Sequence, residues 1–586
     1  MSTKKRASGM PDDDASDEKA ELLGDSNHTS SSIVKAQVPT VQVQNKLTQV
    51  TSFIIVCEFC ERMSYYGFQS SLVLFLTREL HMSTAGADMH TVTWNGMCFV
   101  TPLIGGWLAD AYIGRYRAII YFSIVFLVGL IGITLSSQEK LLSSGIFFFS
   151  LYVVALGTGG IKPNVSTFGA DQFDDQNPVE AAQKEGFFNW FYFSINVGAF
   201  VSFTVIAYIC QNVSFAVGYV IPTVVMALSI LIFVAGKPRY TISPPAGSTL
   251  STFFKICWEA LVRPRTAGAS LMDKAKVAYG GSHNDEDVED AKSLLKLFPF
   301  LGLCIVYNAV YSQMSTTFFN QGCQMDLRLP GGVMTPVAAL SLFDTIIVIV
   351  LIPLLDRVAY PLLHRCGYHP TLLQKIGFGF AISVCAMIAA GFVEMGRLSA
   401  YQAGQLVGPS ICVAHSPPQA VDVSVLWQIP QFTLIGASEV LSSVTAIHFF
   451  YSESPDKMKS VVAAFNLFTM ALGTWSTAVF ISLGNAWQPE APWIADDANK
   501  GKLHYYFFML AAFSVVNLLM WIWAASRYTY KADRDAASAA AAAAGVGEPG
   551  RDSASAGLGD EEAVAGVDIA GALGAAAERP EQKKTD

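Results

Sequence analysis

Charge is what this chain lacks. Only 15% of its 586 residues are Asp, Glu, Lys or Arg, while 52% are hydrophobic. A soluble domain carries about 25% charged residues, so the composition selects an integral membrane protein. The opening residues lack a secretory apolar core. Residues 1–45 are rich in Ser, Asp, Lys and Glu and read as a disordered tail kept on the cytosolic side. A formal charge of −9, much of the acid lying in the two tails, argues against nucleic acid as a partner. The ten cysteines are scattered and mostly lie in apolar runs. Cys57-x-x-Cys60 has a redox or zinc spacing but no flanking ligands, and reads as small buried thiols. Cys323 and Cys412 fall in loops expected on the exterior side and are free to pair, although nothing in the sequence requires it. No nucleophile–base pairing and no extramembrane domain are visible, so an enzyme is not expected.

What the chain has is apolar length. Twelve runs long enough for a bilayer fall near 49–77, 91–112, 118–136, 144–167, 187–209, 216–235, 297–320, 335–356, 373–394, 425–451, 460–484 and 503–526. With the N-terminus inside, the cytosolic loops hold Arg115 and Arg117, Lys237 to Lys296, Arg357 and Arg365, then Lys457 and Lys459. The opposite loops are short and carry fewer cations, as the positive-inside bias requires. Both termini are then cytosolic. The expected units are a tail at 1–45, a six-helix bundle at 46–236, a linker at 237–296, a second bundle at 297–528 and an Ala/Gly-rich acidic tail at 529–586. In the linker, the Phe253 to Val262 stretch has helical apolar spacing and reads as an amphipathic helix on the membrane surface or bridging the halves. The acidic run Asp285-Glu286-Asp287 with Glu289-Asp290 reads most simply as a solvated turn.

The few charges inside the spans carry the information. Glu58, Glu61 and Arg62 lie near the middle of the first run, at i, i+3 and i+4, and share one helix face. Central charges each oppose insertion by roughly 2.5–3.5 kcal/mol, so the three together cost about 8–10 kcal/mol before any pairing. They face protein or water, as a buried ion pair or as part of an ion or substrate path. One arginine balances one acid, so a proton or another helix must neutralise the second. Lys162, in Gly157-Thr-Gly159-Gly160-Ile-Lys162-Pro163, either snorkels to the cytosolic edge or supplies that charge. Glu439 sits mid-span in the second half with no base one turn away, and Lys162 is its obvious long-range partner. Asp344, near the start of the eighth run, is a further titratable group or a helix cap. Moving a cation towards or away from such acids couples their protonation to conformation.

Glu58-Phe-Cys-Glu61-Arg62-Met-Ser-Tyr65-Tyr66-Gly67 resembles the E-x-x-E-R-F-x-Y-Y-G motif of the proton-coupled oligopeptide transporters, a motif shared by the plant nitrate/peptide branch. Gly159-Gly160-Ile-Lys162-Pro163 through Phe173, Phe187 through Gly198, Tyr311-Ser-Gln313-Met-Ser-Thr and Trp427 through Glu439 are similar to further parts of that family. The likeness covers roughly residues 45–530. Gly105 through Arg117, with its Asp110 and Arg115, is similar to the loop signature of the major facilitator superfamily, and Pro353 to Arg357 is a weaker echo of it.

The resemblance implies an all-α membrane protein of the major facilitator fold, with twelve transmembrane helices in two six-helix bundles and alternating access to a central cavity. It implies proton-driven symport of di- or tripeptides, with nitrate or another small anion as the rival substrate. A non-transporting membrane sensor on the same fold is the alternative of another class. Protons are the coupling ion and no cofactor is expected; the partners are the bilayer and a small-molecule substrate. By the same likeness Glu58, Glu61, Arg62 and Lys162 form the proton-coupling group. Glu439 receives a peptide amino terminus, and Arg62 and Lys162 can receive its carboxylate. Tyr65, Tyr66, Asn196, Tyr311 and Gln313 line the cavity or simply pack. Two departures stand out. Gln69 replaces the arginine that gates bacterial peptide carriers, so outer closure must rest on other contacts, and Tyr311 stands where plant nitrate carriers place a histidine. The plasma membrane is the default location; Leu22-Leu23, in an acidic dileucine context, keeps a vacuolar membrane open.

Overall fold

The computed structural model describes residues 45–536, apart from 139, 140, 142, 175, 246, 265–269, 330, 414–416, 532 and 535. The dileucine at Leu22-Leu23 and most of the Ala/Gly-rich tail lie outside the described residues. Among the described residues, eleven helices are long and apolar enough to cross a membrane. The twelfth is the first span. It runs Thr51–Gln69, breaks at Ser70–Ser71 and resumes as Leu72–Arg78, and its own three charges hold down its apolarity. The fifth span is longer than expected, Pro178–Asn212, because Asn177 caps it and Pro178 occupies its first turn.

The first six spans pack on one another, the last six likewise, and the two groups meet chiefly through the second and eleventh spans. Small residues set the closest approaches. A Cβ added to Gly159 would lie 2.6 Å from the Thr101 carbonyl oxygen, and one on Gly105 would lie 2.3 Å from that of Gly159. The second and fourth spans therefore touch backbone to backbone, which fixes the depth of Lys162 three residues further on.

Two linker helices cross the end of the molecule that carries the termini. Thr249–Val262 is tied to the first group by Trp107, whose Nε1 donates to Ser251 Oγ at 2.7 Å, and to the second by Phe253, 5.5 Å from Phe465. It bridges the halves, while Phe254, Trp258, Leu261 and Val262 stay exposed on its other face. The acidic run is not a turn. Asp285–Leu295 is a helix whose first turn holds the acids, where the backbone N–H groups favour them, while Val288, Ala291 and Leu294 are buried. Opposite the termini, the loop between spans nine and ten folds into a short hairpin, Leu406–Pro409 with Gln419–Val421. Cys323 and Cys412 form a disulfide there, joining this loop to the end of span seven.

In the linker, burial alone would lift the Asp273 carboxyl. Hydrogen bonds from Lys292, Ser270 and Lys276 outweigh it and hold the group well below the usual carboxylate range. A depressed carboxylate contributes stability above its unfolded value, about 3.9, and loses it only as pH falls further. Proteolysis of the linker should therefore proceed at the same rate at pH 7.5 and 5.5 and rise in Asp273→Asn. Gly159→Ala should lower the thermal midpoint in detergent, since overpacking at a backbone contact costs about 1–3 kcal/mol.

Candidate functional site: a central cavity between two charge clusters

The i, i+3, i+4 spacing in the first span produces the cluster it implies. Arg62 Nε lies 2.7 Å from Glu58 Oε1 and 2.9 Å from Glu61 Oε2. Only the Glu58 contact has hydrogen-bonding geometry, so both Glu61 oxygens are buried without a donor. Glu61 is wholly inaccessible and Glu58 nearly so. Lys162 faces this cluster from the fourth span, with Glu61 and Glu58 among its electrostatic neighbours. Among the described residues its Nζ makes no ion pair; it sits 4.0 Å from the Tyr65 ring centroid and 5.1 Å from that of Phe99. Two acids and two cations are thus brought together behind a layer of aromatic rings.

A cavity of about 290 Å³ lies between the halves, the scale of a small-molecule site. Tyr66, Gln69, Asn95, Tyr192 and Asn196 line it from the first half, and Tyr311, Asp344 and Glu439 from the second. Among the described residues its lining contains no Lys, Arg or His, and Asp344 and Glu439 are the only charged residues in it. This corrects several expectations. Glu439 does not meet Lys162 or Arg62. Its carboxyl is within hydrogen-bonding reach of Tyr311 and Asp344, because span ten packs so tightly on span eight that a Cβ on Gly436 would lie 2.7 Å from the Asp344 carbonyl oxygen. Asp344 is no cap, since Ser341–Leu354 begins without a side-chain cap and its acid faces the cavity.

Arg62 and Lys162 do not line the cavity; Tyr66 separates them from it, with both Arg62 and Glu439 acting on its hydroxyl. Tyr65 is buried behind that layer, stacked on Trp94 at 5.6 Å. Gln313 is also buried rather than lining: its Nε2 donates to the Ala309 carbonyl at 2.7 Å and its Oε1 accepts from Thr317. Asn196 does line the cavity, with Nδ2 donating to the Tyr192 carbonyl one turn back. Tyr192 itself escaped the sequence reading, although its spacing of four from Asn196 places both on one face.

Gln69 turns to its own half, donating to Asn95 Oδ1 at 3.2 Å. Closure of the end opposite the termini rests elsewhere. Asn320 Nδ2 donates to the buried Asp88 Oδ2 at 2.7 Å, Thr77 Oγ1 to the Cys412 carbonyl at 3.1 Å, and Gln211 Nε2 to the Thr335 carbonyl at 3.2 Å. All three lie at the end opposite the termini. A second buried pair, Glu394 with Arg397 at 2.7 Å, braces span nine against Gln321 and Asn499. Span nine runs on to Gln402, so these charges lie inside a helix whose apolar run ends at 394.

Packed spans around a central cavity, closed at the end opposite the termini, fit a membrane carrier. The family model described as PTR2, POT family, matches residues 116–494. Protein NRT1/PTR FAMILY 8.3 of Arabidopsis thaliana is 36% identical over 543 residues, covering 82% of this chain and 91% of the relative. Protein NRT1/PTR FAMILY 8.1 of the same plant is 36% identical over 540 residues, covering 82% and 93%. The crystal structure of an auto-inhibited POT family peptide transporter superposes with a TM-score of 0.68 at 26% identity, covering 82% of this chain and 97% of that one. The chain belongs to the POT family. It is accordingly a proton-coupled transporter with the major facilitator fold, as the motifs of its first span implied.

Removing the Asp88 carboxylate leaves the Asn320 amide buried and unpaired, a loss of about 1–3 kcal/mol. In Asp88→Ala, a cysteine introduced at the cavity residue Phe319 should label several-fold faster with an impermeant maleimide added from outside than in the same background with Asp88 intact.

Proposed function

We propose that this protein is a proton-driven symporter of di- and tripeptides, and that the cavity between its halves is the peptide site. The observation that carries the reading is the make-up of the cavity wall: two carboxyls and no cation on the second-half side, amides and tyrosines on the first-half side. An α-ammonium is the group such a wall accepts. Glu439 holds it, with Asp344 and Tyr311 beside it, while Gln69, Asn95 and Asn196 offer donors to the peptide carbonyl and carboxylate. Nitrate is the second reading, and this wall disfavours it, because a desolvated anion needs a cation and would meet two acids instead.

In this reading Glu58, Glu61, Arg62 and Lys162 couple protons to transport. Arg62 donates to Glu58 Oε1 alone, and both Glu61 oxygens lack a donor. A proton on Glu61 leaves the cluster with one acid and Arg62 balanced, so Lys162 stays on the rings of Tyr65 and Phe99. Loss of that proton draws Lys162 towards Glu61 and pulls on the fourth span. Such a movement, next to Tyr66, is felt in the cavity. No cofactor enters the cycle. The sealed end faces the exterior or lumen, both termini face the cytosol, and the disulfide at Cys323–Cys412 then sits on the oxidising side of a plasma or vacuolar membrane. The default is the plasma membrane. A non-transporting sensor would gain nothing from a set of buried charges this costly.

Uptake should be measured in oocytes or proteoliposomes while external pH is stepped from about 7.5 to 5.5, offering a neutral dipeptide and nitrate separately. Inward current is expected with the dipeptide and should fall at least tenfold in Glu439→Gln. Current with nitrate alone, or undiminished peptide current in Glu439→Gln, contradicts the assignment.

A further inference from the structure

A peptide has one α-ammonium, yet the wall that receives it carries two acids. The Asp344 and Glu439 carboxyls lie within hydrogen-bonding reach of one another, and Asp344 Oδ1 is buried with no donor. The groups that face the pair from neighbouring spans are hydroxyls: Tyr66 from span one, Tyr192 from span five, and Tyr307 and Tyr311 from span seven. Among the described residues no lysine, arginine or histidine reaches it, because Arg62 is held by Glu58 and Lys162 by aromatic rings. The pair is not an accident of loose side chains. Gly436 lets span ten approach the Asp344 backbone, and Glu439 follows one turn later on the same face.

We propose that Asp344 and Glu439 form a two-carboxylate seat, and that this carrier prefers substrates with a second positive group beside the α-ammonium, such as peptides with lysine or arginine at the amino terminus. The proposal rests on the peptide reading above. A monocation leaves one acid of the seat without a counter-charge, which a proton must cover; a dication satisfies both acids directly. The preference is therefore largest at neutral pH, where protons are scarce.

The test is zero-gradient counterflow of labelled Ala-Ala in proteoliposomes at about pH 7.5, with unlabelled Lys-Ala or Ala-Ala as competitor. With no potential or pH gradient, the ratio of half-inhibiting concentrations reports binding, and changes in overall activity cancel. In the wild type Lys-Ala should compete about tenfold better than Ala-Ala. Asp344→Asn should bring the ratio close to one, and Asp344→Glu should restore it. A wild-type ratio near one overturns the seat while leaving the peptide site intact, and this arm needs no variant to fold. An unchanged ratio in Asp344→Asn overturns it equally. Failure of either peptide to exchange at all removes the peptide reading itself, and the seat with it.

Discussion

A charge buried in a membrane must be answered by another, and the internal organisation of this transporter follows from how few answers it has. Arg62 is shared by two glutamates and hydrogen-bonds a single oxygen of one of them. Lys162 is close enough to act on both acids but rests on aromatic rings. On the far side of Tyr66, Asp344 and Glu439 have no cation at all. In the second half the shortfall can be met by a substrate ammonium or a proton; in the first half the two acids and two cations balance in number, and a proton on Glu61 leaves Lys162 as the charge without a partner. Proton loading in the first half and substrate loading in the second thus change which buried charges are balanced, which is the property a coupled carrier needs.

Glycine is what makes those shortfalls specific. The contacts of Gly105 with Gly159 and of Gly436 with Asp344 remove a side chain's thickness between spans. The first sets Lys162 at the depth of the Glu58–Glu61–Arg62 face, and the second places Glu439 against Asp344. At the closed end the halves meet through neutral or singly charged hydrogen bonds, Asp88 with Asn320 and Thr77 with Cys412. Contacts of that kind are each worth only about 0.5–1.5 kcal/mol when neutral and about 1.5–3 kcal/mol when one partner is charged. A seal built from a few of them can open within a transport cycle.

The twelve spans and the first-span cluster were legible in the sequence because both are local: apolar length and an i, i+3, i+4 spacing need no knowledge of the tertiary fold. The linker helix at Thr249–Val262 was legible for the same reason. The partner of Glu439 was not. Charge complementarity alone points to Lys162, but helix packing decides the neighbour, and Gly436 hands it to an acid instead. Gln313, polar and next to Tyr311, reads as lining until the short helix that follows turns it inward onto Thr317. Asp88 and the Glu394–Arg397 pair lie at or beyond the edges of their apolar runs, where a charge is cheap and draws no notice, although the structure buries them. The acidic run at Asp285 misled because its charges masked the helical spacing of Val288, Ala291 and Leu294, although Asn284 before it is a residue type that starts helices.

The central claim is that the unsatisfied acid of the first span holds the coupling proton. Glu61→Gln removes that proton exchange while keeping the shape of the side chain. Reconstituted protein should then lose accumulation of a dipeptide driven by an inward pH gradient, yet keep gradient-free counterflow of the same dipeptide. Gradient-driven accumulation at the wild-type level in Glu61→Gln would contradict the account and place the coupling proton elsewhere.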